Sequence, residues 1–78
     1  MLVNHNQKFL VTGTAKLNAL GASIMPDGQI VTLTQPKTEN GVDLIYVRYK
    51  GKSRPGEIPD GSKFWVKVNG LAKHARQI

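Results

Sequence analysis

Turn-forming clusters interrupt this chain at four places. Met25-Pro26-Asp27-Gly28, Glu39-Asn40-Gly41, Arg54-Pro55-Gly56 and Ile58-Pro59-Asp60-Gly61 carry this chemistry. Proline presets φ at the second turn position, Asp and Asn bond nearby backbone, and glycine takes the positive φ that closes a turn. Between the clusters lie short stretches rich in Val, Ile, Thr, Tyr, Phe and Trp, a rhythm that predicts a mostly-β fold. Pro-Asp-Gly precedes a strand-like stretch twice, at Pro26 and at Pro59. The match ends at the turn, so one good turn used twice accounts for it better than a duplicated fold.

Strands are expected at Lys8–Thr14, Gln29–Gln35, Val42–Lys50 and Ser62–Asn69, with a shorter one near Gly56–Ile58. Thr14–Gly21 pairs a capping threonine with a terminal glycine and predicts one or two helical turns. Leu71–Ile78 reads as a short terminal helix or a frayed tail, and residues 1–7 as a flexible N-terminus. Five short strands in 78 residues close most simply as one small barrel, SH3-like or OB-like, and an open meander also fits. A chain this short buries only roughly 60% of the surface its unfolded form exposes. The whole chain is therefore expected to share one small core.

No cysteine is present, which excludes a disulfide framework, a thiolate metal site and a cysteine nucleophile. His5 and His74 lack neighbours at ligand spacing, so neither a metal nor a cofactor is expected. Ser23, Ser53 and Ser62 have no base in register, and the acids fall mainly in turns, so catalysis is not expected either. Gly51-Lys52-Ser53 resembles the end of a phosphate-binding loop, but the first glycine of that motif would fall on Tyr46, and Arg54-Pro55 cannot open a helix. No apolar run reaches membrane-spanning length, and the start lacks the pattern of a signal peptide. A cytoplasmic protein, complete from its first methionine, is the expectation.

Charge is the main functional signal. Eleven Lys and Arg face five acids, for a net charge of +6. Residues 1–45 are neutral overall, so the excess resides in residues 46–78. Within that half, Val42–Lys50 alternates Ile45, Val47 and Tyr49 with Tyr46, Arg48 and Lys50. Ser62–Asn69 likewise alternates Phe64, Val66 and Val68 with Lys63, Trp65, Lys67 and Asn69. A period of two marks a half-buried strand, with its aliphatic side inward. Each outward side then sets an aromatic among cations. Cations neutralise phosphates and release counterions, and an exposed aromatic stacks on a base for about 1–3 kcal/mol.

Nucleic-acid binding without chemistry is thus the leading expectation, carried by Tyr46, Arg48, Lys50, Lys52, Arg54, Lys63, Trp65 and Lys67. Lys52 and Arg54 belong to a glycine-flanked loop suited to phosphate. The rival is a protein-interaction or assembly module, with Leu44, Ile30 or Trp65 at an interface rimmed by cations. A homo-oligomer with a shared pore or cleft is a third. Self-packing of Lys on Trp across strands would explain the aromatics with no ligand at all.

Overall fold

The computed structural model describes residues 3–11, 27–52 and 54–78. Its elements are β1 (Lys8–Val11), β2 (Gly28–Thr32), β3 (Lys37–Glu39), β4 (Val42–Lys50), β5 (Lys63–Lys67), α1 (Val68–His74) and β6 (Ala75–Gln77). All strand pairs are antiparallel. The strands form one sheet curled into a half-barrel, with a single short C-terminal helix among the described residues. No described helix is long and apolar enough to cross a membrane.

β4 organises the sheet. Along one edge it pairs with β3 at Val42–Leu44 and with β2 at Val47–Lys50, and along the other with β5 at Leu44–Arg48. β2 then pairs with β1, and β1 with β6. Asn40 and Gly41 both have positive φ, 52° and 77°. This is the conformation a two-residue hairpin connection needs to match strand twist, and it joins β3 to β4. The strand expected over Gln29–Gln35 stops at Thr32 and resumes at Lys37. Pro36 has no N–H to give the ladder, and the break is bridged by Leu33 N–H donating to Tyr46 O at 2.9 Å.

Three expectations are corrected. Gly56–Ile58 is not a strand: Glu57 N–H donates to Arg54 O at 3.0 Å, and Gly56 has φ 87°, closing a tight turn instead. The strand expected over Ser62–Asn69 ends at Lys67, and Val68 and Asn69 open the helix. Val68, Leu71 and Ala75 follow a helical period, and all three pack on the core. The last residues are neither a continued helix nor a tail, because Ala75–Gln77 add to the free edge of β1 as β6. Ile78 N–H extends that pairing to Lys8 O at 3.0 Å. The helical turn expected at Thr14–Gly21 and the first half of the Met25–Gly28 turn lie outside the described residues.

Inward positions of successive strands make the core. Phe9, Val11, Ile30, Ile45, Val47, Tyr49, Val66 and Leu71 are fully buried, with Val3 and Ile58 nearly so. Ile30, offered above as an interface residue, is one of them. Tyr49 brings a hydroxyl inside and donates it to Asp27 O at 3.1 Å. Its ring lies where a Cβ on Gly28 would fall 2.8 Å away, with Lys50 O at 2.6 Å, so this strand crossing admits only glycine. Thr32 is the buried polar residue of the described chain. Its hydroxyl accepts from Gln7 N–H at 2.8 Å and donates to Asn4 O. Together with Asn6 N–H to Thr32 O at 2.7 Å, these bonds tie residues 4–7 to the sheet.

Candidate functional site

Cross-strand register places the outward side chains. Opposed residues of an antiparallel pair share a face, and three ladders continue one another. Lys8 opposes Val31, Val31 opposes Arg48, and Arg48 opposes Lys63. One row across β1, β2, β4 and β5 therefore reads Lys-Val-Arg-Lys, about 14 Å long at ordinary strand spacing. The next row is Arg76, Leu10, Gln29 and Lys50. On the other side, Tyr46 opposes Trp65, and Lys37, Leu44 and Lys67 follow.

The expected residues Tyr46, Arg48, Lys50, Lys63, Trp65 and Lys67 thus share one surface, on directly paired strands. Lys52 and Arg54 do not belong to it. They are exposed in the β4–β5 loop, where Arg54 N–H donates to Glu57 Oε1 at 2.7 Å and Gly51 N–H to Asp60 Oδ1 at 3.0 Å. Carboxylates accompany that loop and offset its charge. Asn69, grouped with the outward side by alternation, is in the helix.

Lys8, Lys37, Gln29 and Arg76 complete the surface and were missing from the sequence reading. Lys8 leads an alternating Lys-Phe-Leu-Val segment, and that parity was a usable signal. Arg76 joins only through the β1–β6 pairing, which leaves no local mark.

The outward face of the described strands carries Lys8, Lys37, Arg48, Lys50, Lys63, Lys67 and Arg76, against Glu39 alone. That excess equals the formal net charge of the whole chain, +6. Lys16, Lys52, Arg54 and Lys73 cancel Asp27, Asp43, Glu57 and Asp60. Glu39 is itself occupied by Lys37, at 3.2 Å. Arg48 and Lys63 stand directly opposite each other, an arrangement of like charges that works against folding.

Trp65 is 38% exposed and packed by its neighbours. Tyr46 tilts against it with ring centroids 5.1 Å apart, and Lys37 Nζ lies over the indole at 4.1 Å. The self-packed arrangement is thus present for the aromatic pair. One indole face must shed Lys37 before a base can cover it, whereas the cations of the Lys8–Lys63 row need no such rearrangement.

Among the described residues, no cluster of three His, Cys, Asp or Glu side chains could hold a metal ion. Comparison with protein-family models, with curated proteins and with solved structures returned no match.

Proposed function

We propose that this protein binds nucleic acid through the outward face of its sheet, chiefly by phosphate contact and without catalysis. The observation that supports it is the segregation of charge: the formal excess of the chain falls on one face, and one ladder row there opposes cation to cation. Arg48 engages phosphate oxygens as a planar fork, and Lys8, Lys50, Lys63 and Lys67 supply point charges. Tyr46 and Trp65 serve as a stacking platform at one end, reached when Lys37 swings aside. Lys52 and Arg54 contribute as loop cations beside that face.

We further read the half-barrel as SH3-like. The order β6-β1-β2-β4-β5 is a meander whose last strand returns beside its first, with a helical segment between β5 and β6. That order favours the SH3-like closure over the Greek-key path of an OB-fold.

The test is a salt series. A fluorescent oligonucleotide titrated with the full chain should give log K falling linearly with log salt. Four or five phosphate contacts predict a slope of about −3 on a single strand and about −4 on a duplex. Absence of binding at low salt, with the chain eluting as a salt-insensitive oligomer, would reject this reading in favour of an assembly module.

A further inference from the structure

We propose that the groove over β2, walled by Lys8 of β1 and by Arg48 and Lys50 of β4, is a seat for a phosphomonoester dianion. Lys8, Gln29, Ile30, Val31, Arg48 and Lys50 line it around a volume of about 130 Å³, roughly ten times the space one water needs. It rests on the reading above only for where that phosphate comes from, the end of a nucleic-acid strand.

The register explains why a pocket forms here. Val31 and Gln29 lie between Lys8 and Leu10 on one flank and Arg48 and Lys50 on the other. Val31 is shorter than the long cationic side chains on either side, so the surface dips over β2 between two charged walls. Lys8 and Arg48 are two strands apart, about 10 Å at Cα, a span their flexible side chains close around a small anion. Gln29 reaches the same space from the floor with an amide that donates twice.

The chemistry selects the ligand. No carboxylate lines the groove, and among the described residues Lys8, Arg48 and Lys50 have no acidic partner. Glu39, the acid of this face, is held by Lys37. Three cations and an amide offer more donors than the two unesterified oxygens of an internal phosphodiester can accept. A monoester presents three such oxygens and a second negative charge. Arg48 takes two oxygens as a fork, and Lys8, Lys50 and Gln29 take what remains.

The experiment uses the full chain, labelled with 15N, and follows the Gln29 side-chain amide and Arg48 Nε. The probes are inorganic phosphate, adenosine 5′-monophosphate, a 5′-phosphorylated oligonucleotide, and a 5′-hydroxyl oligonucleotide one nucleotide longer to supply extra charge without a monoester. Each free monoester should shift both signals saturably. The phosphorylated strand should bind about tenfold tighter than its longer hydroxyl control. Arg48→Lys, which keeps the charge and removes the fork, should erase that preference, so that the two strands bind with equal affinity. Shifts from the free monoesters with no oligonucleotide binding uphold the seat, make free phosphate compounds its source, and refute the nucleic-acid reading. Silent signals with every free monoester, together with equal affinity for the two strands, overturn the seat and leave that reading standing.

Discussion

Neutralising Arg48 and Lys63 together should weaken nucleic-acid binding and stabilise the fold at once. The two side chains are exposed and directly opposed on β4 and β5. Each phosphate contact on a single strand contributes about 0.7 to the salt slope. Losing two in Arg48→Gln/Lys63→Gln should therefore flatten the slope by about 1.4. At 0.1 M salt, one decade below the 1 M reference, the same two contacts amount to about 1.4 decades, an affinity loss of roughly 25-fold. Removing a like-charge pair should meanwhile raise stability by about 0.5 kcal/mol, or about 2–4 °C in Tm.

Lys73→Glu makes the control, because it lowers net charge by the same amount from the exposed side of α1. That helix packs on the inward side of the sheet through Leu71, and screening beyond about 10 Å removes most of its influence. Its affinity should stay within about threefold of wild type. Fluorescence anisotropy over a salt series gives the slopes, and thermal melts give the stabilities. Equal losses in Lys73→Glu and the double variant would refute the reasoning, since binding would then follow bulk charge and not this face.

Thr32→Val should cost about 2 kcal/mol, because Gln7 N–H and Asn4 O lose their partner inside the fold. Thr32→Ser keeps the hydroxyl and loses only a methyl, about 0.8 kcal/mol, so urea melts that rank serine below valine would disprove that role. Gly28→Ala drives a Cβ against Lys50 O and the Tyr49 ring and should destabilise by about 1–3 kcal/mol; a melt unchanged from wild type would mean the strands part without strain. Lys37→Ala uncovers Trp65, so its emission should shift red and acrylamide should quench it more strongly, for a stability loss of about 0.5–1 kcal/mol. Unchanged emission would show that Lys37 does not shield the ring.

What could be read from the chain beforehand follows the range of the forces involved. Val42–Lys50 was legible to the residue, because its apolar alternation is local and the Asn40-Gly41 turn specifies where it begins. The end of β5 was not: Val68 continues the strand parity of Phe64 and Val66 and also begins a helical spacing with Leu71, and only the core position of Leu71 decides. Gly56–Ile58 was misread because a turn bonded through Arg54 and Glu57 has the same glycine-proline signature as a strand boundary. Half of the proposed surface was visible as alternating cations and aromatics. Lys8 carries a local signal in the alternation of Lys8–Val11, whereas Arg76 reaches the surface through the β1–β6 pairing, and no local pattern encodes that.

The structure also changes the balance between the two forces first invoked. Stacking was expected to rest on Trp65, yet Tyr46 and Lys37 already satisfy that ring, so a base gains only what exceeds the contacts it displaces. The cations are in the opposite condition. A fold selected for stability alone gains by setting opposite signs side by side, as Lys37 and Glu39 do along β3 at one end of this face. Lys8, Arg48, Lys50 and Lys63 forgo that gain in adjacent rows, while Glu57 and Asp60 in the β4–β5 loop bond Arg54 and Gly51, and Asp43 on β4 accepts from Thr38. An anion supplied from outside is the counterpart that turns this arrangement from a cost into an attraction, and a phosphate backbone presents such charges in series.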